Sequence, residues 1–361
     1  LKIRRRQRCG GSSPPAPISG LLGPLDRPLE EWPSRALTRV GPALTVANCS
    51  RALDHLQHIA RPQRRWLRRA LHGLGPPIIA LAHLGCGLLL LTGLGFAAAM
   101  WALALYLLRM LATTAIYHRL VAHGSYQAPR LVWWVGSLVA ASSGQMGPSW
   151  WKAHHLQHHR HADSPADPHT PLIHPVAWRG FLRSQLGWLL DEGFHPASLP
   201  ADIESDPVLR LIDRLHALPV LGLAVLSWWI GGLEWLGAYC LSTTLLFHGV
   251  ATVNSVAHLA GAQPFATGDA SRNNAWVALI TLGEGWHNLH HGFQGSVRQG
   301  FTVQAGRVVK LPDPTYSFIR LLERLGWASR LRIPSDRALL ARAVGSGSDQ
   351  PRRASRLPAA A

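Results

Sequence analysis

The sequence predicts an all-α integral membrane protein with four transmembrane helices and both termini on the cytoplasmic side. Three observations carry that expectation. Only 15% of the 361 residues are charged while 47% are hydrophobic, against roughly a quarter charged in ordinary soluble domains. The stretch from Pro77 to Leu108 holds no Asp, Glu, Lys or Arg, and it exceeds the roughly 20 apolar residues one helix needs to cross a bilayer. Basic residues gather at the ends of the apolar runs, where they act as topology signals.

Residues 1–60 are rich in Arg, Pro, Gly and Ser and open on Arg4, Arg5, Arg6 and Arg8 with no apolar segment behind them. They read as a disordered basic extension and not as a signal peptide. Residues 61–335 read as the membrane domain, and 336–361 as a second disordered tail. Spans are expected at about 77–95 and 98–117, joined by an uncharged turn. Arg64, Arg65, Arg68 and Arg69 precede the first, and Arg109, His118 and Arg119 mark the far end of the second. The positive-inside rule places both of those ends in the cytoplasm.

A second pair is expected at about 218–236 and 236–256, with Glu234 the one charge at the turn, Arg210 and Arg214 before it and Arg272 after it. Between the pairs, Leu131 to Trp151 is apolar but carries Ser142, Ser143, Gln145 and Pro148. Read as a span, it would put the histidine clusters on opposite sides of the membrane, so it reads as an interfacial or buried helix.

The formal charge of +17 is spread through termini and loops, which marks membrane-surface charge and excludes nucleic acid as the expected partner. Cys9, Cys49, Cys86 and Cys240 form no CxxC pair, so neither a disulfide framework nor a thiolate zinc site is expected. Histidine is the abundant ligand.

His118 and His123 flank the cytoplasmic end of the second span. Residues five apart differ by about 140° around an α-helix, so both rings reach one metal only if the helix loosens there. His155, His158 and His159 have the i, i+3, i+4 relation that lines one helical face. His287, His290 and His291 repeat it, and His258 follows Asn254 by four residues at the end of the last span. These nine histidines fall on one side of the membrane. A first-row metal takes at most about six ligands, so a shared site of this size needs two ions. Asp163, Asp167 and Glu284 lie close in sequence to the clusters and are candidates to fix the outer ring nitrogens.

Together the stretches Arg109 to His123, Gln145 to Thr170, Asn254-Ser-Val-Ala-His258 and Gly283 to His291 resemble the membrane fatty-acid desaturases of the acyl-CoA (stearoyl-CoA, delta-9) type, in their bacterial form. The resemblance covers about residues 75–335. It implies a bacterial inner-membrane protein with a cytoplasmic helical cap holding a histidine-rich dimetal site, a diiron centre that uses O2 to place a cis double bond in a saturated acyl chain. By position, His118, His123, His155, His158, His159, His258, His287, His290 and His291 would bind the irons, and Asn254 would reach one through water. Trp151 fits the pattern of a residue lining the acyl tunnel.

Gly124 and Leu156 stand where the family usually carries a cation, which leaves the carrier of the acyl chain open among CoA, a carrier protein and a lipid ester. No haem motif, dinucleotide fingerprint or ferredoxin-like cysteine run is present. Electrons are therefore expected from a separate donor such as ferredoxin or a cytochrome. A diiron lipid hydroxylase or related oxygenase is the rival within enzymes. A membrane metal-binding or transport protein is the rival outside them, although transport calls for ligands near mid-membrane.

Overall fold

A computed structural model describes residues 69–344. The expected extension over 1–60 and the end of the expected tail, from 345 onward, lie outside the described residues. Among the described residues, three helical runs are long and apolar enough to cross a membrane: Arg69–Thr92, Phe96–Ala122 and Ala217–Leu259.

The first run comprises α1 (Gly75–Gly85) and α2 (Leu88–Thr92), and the second begins as α3 (Phe96–Leu111). Leu84, Leu90, Leu91 and Phe96 stay largely exposed, as surfaces facing lipid do. The third run is a hairpin. Its main helix, α9 (Ala217–Asn254), breaks at Gly231 and at Gly232, whose φ of 66° and ψ of −148° suit glycine. Tyr239 Oη donates to Val220 O at 2.8 Å, whereas an unbroken helix would hold those residues about 28 Å apart. The turn thus comes earlier than the boundary at 236 expected from sequence. Glu234 does not make the turn; its Oε1 accepts from Gly95 N at 2.7 Å, so the carboxylate serves the other hairpin's exposed backbone. Within the bundle His83 and His248 face each other with Nε2 atoms 2.9 Å apart.

The expected single helix over Leu131 to Trp151 is two. Helix α4 (Arg130–Ala141) spans about 18 Å, too little to cross a bilayer, and exposes Leu131, Val135 and Leu138 on one face. After a turn with Gly144 and Met146 at positive φ, α5 (Pro148–His161) starts with Pro at its first position, where the missing N–H costs nothing. Then come α6 (Ala177–Gln185), α7 (Ala201–Glu204) and α8 (Pro207–Arg214) before the α9 hairpin, and α10 (Val256–Leu259), α11 (Ala275–Ile280) and α12 (His287–Gly292) after it.

Two features correct the expectation of an all-α chain ending at 335. Phe301–Gln304 pairs antiparallel with Arg307–Lys310 across Ala305 and Gly306, both at positive φ, the twist a two-residue hairpin favours. Helix α13 (Pro314–Arg324) follows, and Asp336–Ala341 forms α14 within the expected tail. Leu339 of α14 is fully buried with Phe265, Leu289 and Phe301, so this helix supports the segment that carries His287, His290 and His291.

Candidate metal centre

Residues Ala112–Ala122 continue α3 as a π-helix. Its i→i+5 hydrogen bonds bring residues five apart onto one face, and His123 N donates to His118 O at 3.2 Å. The two rings lie 5.0 Å apart. The loosening that the His118/His123 spacing requires is therefore a change of helix type across the whole approach to the site.

All nine predicted histidines come together in two groups. His118, His123, His155, His159 and His290 form one, and His158, His258, His287 and His291 the other. In the first, Nε2–Nε2 separations are 3.0 Å for His118–His290, 2.7 Å for His123–His155, 3.0 Å for His155–His159 and 2.8 Å for His159–His290. In the second they are 3.2 Å for His158–His291, 3.1 Å for His258–His287 and 3.0 Å for His287–His291. The groups adjoin, with the rings of His159 and His291 4.6 Å apart.

Carboxylates hold the outer nitrogens. Glu284 pairs with His118 Nδ1; Asp167 meets His158 Nδ1 at 3.0 Å, Asp163 meets His258 Nδ1 at 3.0 Å, and Asp269 meets His291 Nδ1 at 2.8 Å. The Gln299 amide lies 3.3 Å from His290 Nδ1. Asp163, Asp167 and Glu284 are the three carboxylates expected from sequence. Asp269 was missed, because it comes from the loop before α11 and no ligand spacing points to it. Arg119, fully buried, bridges Glu284 at 2.9 Å and Asp313 at 3.1 Å.

These contacts test whether the site suits metal ions. An imidazole whose Nδ1–H is given to a carboxylate has only a lone pair on Nε2. His158 and His291 are both held this way, yet their Nε2 atoms face each other at 3.2 Å. Two lone pairs so placed repel unless a proton or a metal cation lies between them. Separations near 3 Å also match neighbouring nitrogens each about 2.1 Å from a common ion. The residues fit a dimetal centre.

Burial first, then neighbouring rings, holds His155, His159, His287 and His290 well below the usual imidazole value. Burial also pushes His291 down to about 4 in spite of Asp269. His158 runs the other way: burial opposes its charge, but Asp167 raises it. A depressed histidine binds fewer protons folded than unfolded between its two values, so stability falls as pH drops below about 6.5, and for His291 the loss continues to about 4. Burial opposes charge on Asp163 and Glu284 too, yet their histidine partners hold them below the usual carboxylate range, which adds loss in the same direction. Protons also compete for the inward lone pairs. Because burial keeps these rings unprotonated in the folded site to well below 6.5, and His291 to about 4, metal retention is expected to hold at neutral pH and to fall between about pH 6 and pH 4, read by metal analysis after gel filtration at stepped pH. Full retention at the acid end would contradict this electrostatic account.

A cavity opens beside the first group, lined among others by Met110, Thr113, Trp151, Phe247, Val250 and Asn254. Trp151 stacks on His155 with ring centroids 4.7 Å apart, so the expected tunnel residue and Asn254 both face this space. Met110, Trp150, Trp188, Phe247, Val250, Ala251 and Val253 give this space an apolar side, as an acyl chain requires.

Comparisons with known proteins agree with this geometry. Residues 94–296 match the family model described as fatty acid desaturase. The acyl-CoA 5-desaturase AL21 of Anemone leveillei is 33% identical over 230 residues, which cover 62% of this chain and 68% of that protein. The sn-1 stearoyl-lipid 9-desaturase of Anabaena variabilis is 33% identical over 228 residues, covering 62% and 79%. The delta-9 desaturase-like 4 protein of Arabidopsis thaliana is 29% identical over 293 residues, covering 80% and 93%. Since the matched region holds all nine converging histidines and over half of the chain, the protein belongs to the fatty acid desaturase family.

Proposed function

We propose that the chain is an O2-dependent fatty acyl desaturase that places a cis double bond in a saturated chain at a histidine-held diiron centre. The observation that supports this most is the meeting of nine Nε2 atoms in two adjoining groups beside an apolar cavity. Two bound irons would supply the oxidising power that C–H removal from an unactivated methylene demands. His118, His123, His155, His159 and His290 would hold one ion and His158, His258, His287 and His291 the other. Asn254 lines the cavity and would act on one ion through water.

The protein's own part is binding, orientation and exclusion of water. Glu284, Asp163, Asp167 and Asp269 fix each partner ring with its lone pair inward, which sets both tautomer and direction. Trp151, Phe247, Val250 and Met110 offer an apolar wall, and each methylene buried against it contributes about 0.8 kcal/mol. The depth of burial then decides which carbon is presented.

The proposed topology is four spans, the α9 hairpin supplying two, with the histidine groups, the cap and both termini on the cytoplasmic side of a bacterial inner membrane. Hydrophobic surface on the described helices and the basic residues flanking them support it. A ferredoxin or cytochrome would deliver electrons to that face. Relatives named for CoA esters and for lipid esters, acting at carbon 5 and at carbon 9, give the range of carriers and positions to assay, with the delta-9 acyl-CoA type as the first substrate.

Purified protein loaded with iron and supplied with O2 and a donor should convert a saturated acyl ester into a product two hydrogens lighter. A gain of one oxygen would favour the hydroxylase reading. Failure across CoA, carrier-protein and phospholipid esters, with labile zinc of variable count, would favour metal binding or transport.

A further inference from the structure

His154 shares α5 with His155, His158 and His159 but joins neither metal group. Its ring lies flat on Trp150, with centroids 4.5 Å apart and planes 13° apart, and meets Trp188 at 5.1 Å. It is 4% exposed, and its Nε2 is buried with no hydrogen-bond partner among the described residues. His169 stands 5.3 Å away, and its Nδ1 is likewise buried without a partner, being 3.6 Å from Asp167. Both rings line the cavity, with Gln145, Trp150 and Trp188 around them.

A buried polar atom without a partner is costly, and native structures seldom keep one without use for it. These two rings are locked in place by aromatic stacking, so they cannot swing out to water. They share the cavity with apolar residues that include Trp150, Trp188, Phe247 and Val250. The ring of His169 sits 4.7 Å from that of His158, and His154 lies beyond it. His169 thus adjoins the four-histidine group, forming with His158 and Asp167 a further cluster of ligand atoms, whereas His154 belongs to none of these groups.

We propose that His154, with His169 beside it, hydrogen-bonds the carbonyl oxygen of the acyl ester and so sets how far the chain runs past the metal centre. This rests on the desaturase reading. An acyl ester threading the cavity brings methylenes and one strong acceptor, the ester carbonyl, and a neutral buried imidazole offers the matching N–H without adding charge. One such bond fixes the register of the whole chain, because every carbon is counted from it.

The test pairs the carbonyl with the ring. Stearoyl-CoA is compared with its thioether analogue, which lacks the carbonyl oxygen, or a 1-stearoyl phospholipid with its ether counterpart where the wild type accepts only lipid. Iron-loaded wild type should bind the ester about five- to tenfold more tightly than the ether. His154→Phe keeps the stack on Trp150 but has no N–H; it should lose that preference and spread the double bond over neighbouring carbons while iron content stays unchanged. His154→Gln keeps a donor and should retain most of both. A wild type active on esters but indifferent to the carbonyl overturns this inference alone, as does His154→Phe with full preference and a single product. A wild type that desaturates no ester overturns the desaturase reading and this inference with it.

Discussion

On the proposed dimetal desaturase reading, replacing His290 by alanine is expected to abolish desaturation and to reduce bound metal from two ions per chain to one or none. His290 Nε2 stands 3.0 Å from that of His118 and 2.8 Å from that of His159, so it joins the π-helical segment to α5 within the five-histidine group. Alanine removes a proposed ligand and leaves a gap in the five-histidine group. His258→Ala should act on the four-histidine group in the same way, since His258 Nε2 lies 3.1 Å from that of His287. Second-sphere changes alone cost 10–100-fold in metal affinity, as a rough guide, so loss of a ligand should exceed that. Metal analysis of purified wild type and both variants, with product formation measured alongside, decides it. Two ions retained with normal turnover in either variant would refute the ligand assignment.

The site was more legible in the sequence than the fold around it, for a physical reason. His155, His158 and His159, and likewise His287, His290 and His291, sit on short helices whose periodicity alone fixes the face the rings share. The His118/His123 pair needed a loosened helix, and the requirement was visible although the π-helix itself was not. Asp163, Asp167 and Glu284 were within reach because they neighbour ligands in sequence. Asp269 arrives from a loop folded back by tertiary contacts, and no local pattern announces that. The turn of the third run depends on Gly231 and Gly232, ahead of the boundary expected at 236, and the carboxylate of Glu234 serves Gly95. Asp336–Ala341 falls in the stretch expected to be a disordered tail, yet a fully buried Leu339 anchors it.

Glu284 is where fold and site depend on each other, and its replacement is expected to damage both. Its Oε1 accepts from Arg119 at 2.9 Å while Oε2 pairs with His118 Nδ1, so both oxygens face donors. Burial opposes its charge, but His118 and Arg119 keep it below the usual carboxylate range. Glutamine has nearly the same shape but accepts with one atom only, so Glu284→Gln must turn an N–H toward either Arg119 or His118. Glu284→Ala removes both contacts. Breaking one side of a buried ion pair costs about 3–5 kcal/mol, and Arg119 keeps Asp313 at 3.1 Å, so the lower end is expected. Metal affinity of the five-histidine group should fall by about 10–100-fold, because His118 loses the partner that orients it. Thermal unfolding of metal-free protein isolates the first effect, and chelator competition isolates the second. Asp269→Asn is the control: it should weaken the four-histidine group through His291 and leave the Arg119 cluster intact. If Glu284→Gln matched wild type in both measurements, the carboxylate would hold neither ring nor guanidinium, and the account of how the first metal group is oriented would fail.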